Sequence, residues 1–324
     1  MKTVDVAIVG GGAAGLSAAL VLTRARRSVA VIDAGHPRNA PAARMQGYLS
    51  RDGMPPGDLL RTGRQEVVSY GGDLIDDTVT EVHQSAAGTF ELTTSGADRI
   101  SARRLLMATG LRDDIPDLPG LAERWARDVL HCPYCHGHEV RDQSLGVIGG
   151  TAAAVQHAHL IRQWSSDVVY FARDSTPPEV ELEQLAARSI EVVEGEIARL
   201  EVSHDRLVGV ELVDGRFVPR TALFVRPTFH ANDGPLRALG AEFDTHGWPV
   251  VDSTGRTSVR GVWAAGNATN PRAQVITAAG EGSATAIAIN ADLVEEDVHI
   301  ALTTFRTSEP PAQPLTQRRR RTIQ

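Results

Sequence analysis

A chain of 324 residues is too long for one ordinary domain and suits two, each large enough to bury its own core. Apolar residues make up 42% of it but aromatics only 5%, with 30 glycines, so the interior must be built from small and aliphatic side chains packed close to backbone; this fits a nucleotide-binding α/β protein and excludes a fibre, a disulfide scaffold or a disordered chain. The 33 basic and 40 acidic residues give a formal charge of −7 and are interspersed, apart from the run Arg318 to Arg321, so nucleic acid is not an expected partner.

Met1 to Asp5 carries no charged segment followed by an unbroken apolar one, and glycines from Gly10 onward interrupt the next stretch; neither a signal peptide nor a membrane span is expected. The only two cysteines stand three apart, which rules out a long-range disulfide framework and points to a reducing, cytoplasmic compartment. Val4 to Val9 predicts a strand, Gly10 to Gly15 a glycine turn, Leu16 to Arg26 a helix and Ser28 to Ile32 a second strand ending at Asp33, a βαβ unit that opens the chain. A second such unit begins at Ser144, with a strand through Ile148, a helix from Ala154 to Gln163 and a strand Val168 to Phe171.

Breaker-rich stretches at Arg112 to Gly120 and His230 to Gly240 bracket that second unit and read as interdomain connections. Gly261 to Asn267 then reads as a buried strand leading into a loop, and Val275 to Val294 as a helix. The expected fold class is α/β with two Rossmann-like dinucleotide-binding domains: residues 1–113 and 241–298 form a discontinuous three-layer domain, 114–240 an inserted one, and 299–324 a disordered tail that includes the polar stretch Ser308 to Gln317.

Gly10, Gly12 and Gly15 form GxGxxG at a strand-to-helix turn, with glycines for the tight turn, for close approach of a pyrophosphate and for helix packing, while the amides of Ala13 and Ala14 open the helix toward phosphate. Asp33, 18 residues past Gly15, is placed to bind an adenosine ribose, with Ala34 and Asn39 beyond it. Ala108-Thr109-Gly110 and the segment ending Gly266-Asn267 resemble the paired ATG and GD-type segments of two-dinucleotide-domain flavoproteins, whose order implies FAD. Asn267 stands where that pattern has Asp, and the helix starting near Gln274 and Val275 would turn its N-terminal dipole to the flavin.

Cys132-Pro133-Tyr134-Cys135-His136-Gly137-His138 is the most informative stretch. A CxxC is either a redox pair or half of a metal site; zinc would have to enlist His136 or His138, too close in sequence for a normal closed site, and no metal is expected. With these residues in hand, the whole chain resembles the low-molecular-weight thioredoxin reductases, in which an inserted nicotinamide-type domain carries the CxxC. That resemblance implies a homodimer, a flavin-facing thiolate at Cys135 and an exchanging cysteine at Cys132. It also places His136 where the family has an acidic proton donor.

The second glycine turn departs from that family. Gly149-Gly150-Thr151-Ala152-Ala153-Ala154 has Thr151 in place of the glycine that admits the pyrophosphate, and Phe171-Ala172-Arg173-Asp174 keeps one of the two arginines that hold the 2′-phosphate. Both departures argue against NADPH, although a loop shift would still admit it. A CxxC followed by His with a degraded nicotinamide site is similar to the dithiol oxidases that close the disulfides of gliotoxin and holomycin.

That resemblance implies FAD as cofactor, a small peptide or natural-product dithiol as substrate, O2 as acceptor and H2O2 as by-product. His136 is the first candidate base, with His131 and His138 next, because a histidine near neutrality can both take and return a proton. Two other readings remain open on sequence: an NADPH-dependent disulfide reductase, and a flavin-bearing redox sensor.

Overall fold

A computed structural model describes residues 1–308 other than Ala87 and Asp174. The chain opens with β1 (Lys2–Val9), α1 (Ala13–Arg24), β2 (Val29–Asp33), α2 (Pro56–Ser69), β3 (Asp73–Asp76), β4 (Val79–Gln84), β5 (Phe90–Thr94), β6 (Arg99–Met107) and β7 (Leu111–Asp114). Next come α3 (Leu121–Arg124), β8 (Val129–Leu130), α4 (Pro133–His136), β9 (Leu145–Ile148), α5 (Ala152–Ile161), β10 (Val168–Arg173), α6 (Glu179–Ala187) and β11 (Ile190–Glu194). It closes with β12 (Ile197–Ser203), β13 (Arg206–Leu212), β14 (Phe217–Pro219), β15 (Ala222–Phe224), β16 (Thr228–Ala231), α7 (Gly234–Ala238), β17 (Val262–Ala264) and α8 (Val275–Ser308).

Two parallel-cored sheets result. The first runs β3-β2-β1-β6-β5-β4, with β17 also pairing β6, and the second runs β11-β10-β9-β15-β8. Their central strands are apolar nearly throughout because both faces are covered, one by helices and the other by strands and irregular chain: β2 and β9 each have four buried residues in succession. On the helical side of the first sheet, α1 buries Ala14, Leu16, Ala18, Ala19 and Leu22 against α8, and small residues set the approach. A Cβ on Gly282 of α8 would lie 2.0 Å from the Ala14 carbonyl. Trp263 of β17 is fully buried in this core, where truncation to alanine costs about 3–5 kcal/mol.

The two connections between the sheets pair with each other. β7 and β16 form an antiparallel ribbon with Arg112 opposite His230 and Leu111 opposite Ala231. Just beyond it Leu236 of α7 is buried in the core of the first sheet, so the chain has rejoined that unit before residue 241, where the return was expected. Helix α1 begins at Ala13, ahead of the expected Leu16, since Gly15 is tolerated in a first turn that packs against Gly10.

At the other end α8 continues to Ser308, past the start at 299 expected for a tail; Val298, Ile300 and Leu302 prolong its apolar content. Residues 309–324, including the run Arg318 to Arg321, lie outside the described residues. Among the described residues no helix is long and apolar enough to cross a membrane.

Candidate active site

The first glycine turn and the cysteine pair open into one cleft of about 320 Å³. Each turn glycine has a separate reason to lack a side chain. Gly10 sits at φ +106° with the Ala108 carbonyl 2.3 Å from the place of a Cβ, and a Cβ on Gly15 would lie 1.9 Å from the Gly10 carbonyl. A Cβ on Gly12 would meet nothing within 4 Å and would project into free space beside the helix end. Gly11, which the motif leaves unspecified, is needed because the Asp33 carboxylate lies 2.6 Å from its would-be Cβ. Gly12 caps α1 without any side-chain partner, so the first amides of that helix are free to meet a ligand.

The cleft is lined by Gly10, Gly12, Ala13, Ala14, Asp33, Asn39, Ala108, Thr109, Gly110, Asn267, Gln274 and Val275, and by Cys132, Cys135, His131 and His136. Four expected site residues stand off it. Gly15 lies behind the turn, Ala34 is outside the wall, His138 is exposed with its carbonyl accepting from Arg141, and Gly266 is buried with its N–H donating to Glu281 at 3.0 Å. His138 is thereby separated from the other two histidines.

Of the irregular loop between Asp33 and Pro56 the sequence singled out Ala34 and Asn39, of which Asn39 lines the cleft, and missed His36, Pro37, Arg38, Met45 and Gln46, which form much of one wall. Arg38 there makes a two-pronged pair with Asp113 at 2.8 and 2.6 Å and stacks on Phe229. From the second unit Gln46 receives Glu139, its Nε2 donating to Oε1 at 3.1 Å. Near the ribbon, Asn232 donates from its side chain to the Thr109 carbonyl at 2.9 Å.

Both cysteines are free and half-buried. Pro133 opens the short helix α4 at a position where a missing N–H costs nothing, and the Cys132 carbonyl accepts from the N–H groups of Cys135 and His136 at 3.2 and 3.1 Å. Gly137 holds this turn against the domain: a Cβ there would lie 2.8 Å from the Trp164 indole. At the helix start, the thiol of Cys135, the backbone amides of Cys135 and Tyr134 and the side chain of Gln274 all favour negative charge on Cys132, holding its thiol down at about 7 despite burial.

The neighbouring Cys132 and burial push the Cys135 thiol up, with Arg38 opposing and Glu139 reinforcing. Of the reduced pair Cys132 is thus the more acidic thiol. Gln274, expected on the cofactor alone, is also a partner of the reactive sulfur.

Burial, with His157, Arg38 and Arg226 nearby, pushes His131 down to about 4. Burial also lowers His136, opposed by Glu139 and the Cys132 backbone, and its Nδ1 is buried with no hydrogen-bond partner. Among the described residues no group of three or more His, Cys, Asp or Glu side chains is placed to hold a metal.

At the second glycine turn Tyr170 of β10 is buried beneath Gly149, its ring and hydroxyl 2.7 Å from the place of a Cβ there, and the hydroxyl engages the backbone of Gly150, while Gly150 and Thr151 themselves are exposed. Thr151 caps α5 with no side-chain bond of its own.

A cysteine pair sharing a cleft with an open dinucleotide turn defines a dithiol–disulfide oxidoreductase built on two dinucleotide-binding units. The chain matches the pyridine nucleotide-disulphide oxidoreductase family over residues 4–282 and belongs to that family. It is 32% identical over 281 residues to a thioredoxin reductase, tcpT, of Claviceps purpurea, covering 82% of this chain and 86% of that one. Among solved structures it is similar to HlmI, with 50% identity and a TM-score of 0.93 over 95% of this chain and 98% of the other. It is also similar to an oxidoreductase from Agrobacterium tumefaciens, with 33% identity and a TM-score of 0.83 over 91% and 99%.

Proposed function

We propose that the protein is an FAD-dependent dithiol oxidase that closes a disulfide in a small dithiol and passes the two electrons to O2 as H2O2. The contrast between the two glycine turns carries this reading: one has Gly12 at the helix end and opens into the cleft of the cysteine pair, while the other has Thr151 at that place and its Gly150 backbone engaged by Tyr170. The residues of the open turn fit FAD. Gly12 leaves space at the helix end, the uncapped amides of α1 suit a pyrophosphate, Asp33 suits the ribose, and the buried, unpartnered Thr109 hydroxyl gives a further polar contact. Gly110, Asn267, Gln274 and Val275 complete the proposed cofactor wall. When bound, FAD supplies the two-electron acceptor for the cysteine pair and the donor to O2.

The protein's own groups perform the exchange. A substrate thiolate attacks the Cys132 sulfur of the oxidised pair; the Cys132–Cys135 bond breaks, and Cys135 takes up the first proton. His136, which lines the cleft, accepts the second substrate proton, and the thiolate so formed attacks the substrate sulfur of the mixed disulfide. Cys132 then leaves as a thiolate, which its pKa of about 7 favours, since a more acidic thiol leaves faster. The substrate has lost two electrons and two protons. The pair has gained both electrons, Cys135 holds one proton and His136 the other.

Relatives named thioredoxin reductases support a second reading, an NADPH-dependent disulfide reductase. Anaerobic mixing separates the two. Dithiothreitol should bleach the flavin band, NADPH should not, and readmission of air should yield H2O2. Rapid bleaching by micromolar NADPH would overturn the oxidase reading in favour of the reductase.

A further inference from the structure

Building on the proposed electron exchange between the cysteine pair and FAD, we propose that Phe229 positions the dithiol turn: its ring is a spacer that sets His131, the residue before Cys132, against Arg38 of the cleft loop. Phe229 is half-buried on β16 and stands outside the cleft wall.

In the antiparallel ribbon Phe229 lies directly opposite Asp113, so the two side chains leave the same face as cross-strand neighbours. Arg38 covers both. Its guanidinium holds the Asp113 carboxylate in the two-pronged pair at 2.8 and 2.6 Å and lies 5.1 Å from the centre of the Phe229 ring. A planar fork suits both tasks at once, and an Asp113 side chain only 11% exposed leaves water little chance to compete. The cleft loop is thereby fastened to the ribbon at Phe229.

The same ring meets His131 edge to face, with ring centres 5.1 Å apart and planes at 85°. His131 has a second neighbour within the inserted unit: His157 of α5, 6% exposed, lies 6.1 Å away and is itself set edge to face with Phe224 of β15 at 6.0 Å. His131 is therefore held between the ribbon and the interior of that unit. Its place governs the turn. The last sheet bond of β8 runs from the Val225 N–H to the Leu130 carbonyl at 2.8 Å, and the Cys132 carbonyl already accepts from the Cys135 N–H at 3.2 Å. One residue separates these anchors, so the direction in which the chain enters the turn, and with it the placing of both sulfurs in the cleft, follows from how His131 seats on Phe229.

The test is anaerobic bleaching of the flavin by dithiothreitol in stopped flow, together with the His131 ring-proton signals in NMR spectra of the oxidised holoprotein. Phe229→Leu keeps an apolar side chain but removes the ring. The His131 signals should move as the shielding of the ring is lost, and bleaching at saturating dithiothreitol should slow by about 10- to 100-fold, the order that a displacement of about 1 Å at the reacting atoms costs. Phe229→Tyr keeps the ring and should restore most of both. Arg38→Lys loses the fork and the planar stack while the ring remains, so it reaches the spacer from the first unit. It should also slow bleaching, and joining it to Phe229→Leu should add no more than about twofold to the slower single variant.

Unchanged bleaching in Phe229→Leu with FAD retained overturns the proposal even if Tm falls, since a packing role alone lowers stability and leaves the rate. An unchanged rate in Arg38→Lys overturns it as well, whether or not Phe229→Leu folds. So do a Phe229→Tyr variant as slow as Phe229→Leu and losses that multiply in the double variant. Bleaching needs no oxygen. If the variants ranked as stated while the wild-type enzyme gave no H2O2 in air, the positioning would stand and the oxidase reading alone would fail.

Discussion

The hydroxyl of Tyr170 lies 2.7 Å from where a Cβ of Gly149 would stand, and it engages the Gly150 backbone at the turn that would otherwise face a phosphate. Tyr170 thus competes for the turn backbone independently of Thr151. A Thr151→Gly variant should remain unreduced by NADPH in anaerobic absorbance measurements, because the tyrosine still engages Gly150. Recovery of NADPH reduction from that single change would show that the threonine alone closes the site.

Gly12 and Gly15 separate cofactor binding from folding. Gly15→Ala forces a Cβ to 1.9 Å from the Gly10 carbonyl and should lower the stability of the cofactor-free protein by about 1–3 kcal/mol or more, seen as a lower Tm. Gly12→Ala meets no protein atom, so cofactor-free stability should hold while FAD retention on gel filtration falls. Equal Tm losses for the two variants would contradict this division.

The cysteines should differ in acidity once the pair is reduced. Iodoacetamide at pH 7 should label Cys132 ahead of Cys135, with the rate rising through an apparent pKa of about 7. The thiol of Cys135 is the largest support for the Cys132 thiolate, so Cys135→Ala should move that midpoint upward. Peptide mass spectrometry showing Cys135 labelled first would reverse the assignment.

A base that takes a thiol proton must be neutral, so the rate falls as pH drops through its pKa. For His136, burial moves that pKa below the ordinary 6.5, and the acidic limb should lie below 6.5, not at it. His136→Ala should lose the limb and about 100- to 10,000-fold in rate. His138→Ala, altering an exposed side chain off the cleft, should change neither. A limb near 4 that survives loss of His136 would instead point to His131.

The two βαβ units were legible because their signals are local. The strand-forming runs at Val4 to Val9 and Val168 to Phe171 sit beside glycine turns, and the structure builds β1 and β10 there. Tyr170 was read only as part of a strand, since nothing in an apolar run tells which side chain reaches under the turn of the neighbouring strand. The wall built by His36, Arg38, Met45 and Gln46 was not legible at all. Those residues occupy a loop with no period, and their meaning comes from Asp113 and Glu139, 75 and 93 residues further along. The extent of α8 was missed for a related reason: Thr303, Thr304 and Thr307 are weak helix formers, yet hydroxyls of all three are bonded back to carbonyls within the helix.

The antiparallel pairing of Leu111–Asp114 with Thr228–Ala231 gives the inserted unit a mechanical character that two separate linkers would not have. A strip of two hydrogen-bonded strands resists stretching and sliding, since either breaks the register of Arg112 with His230, but it yields to torsion about its length. Asn232 clamps one end of the strip through its N–H to the Gly110 carbonyl and its side chain to the Thr109 carbonyl, at the lip of the cleft. The clamped end of the strip therefore lies at the mouth of the site itself, where Thr109, Gly110 and Asn232 share the cleft with Cys132 and Cys135, and a protease that nicks either strand of the strip alone leaves the inserted unit still tethered by the other.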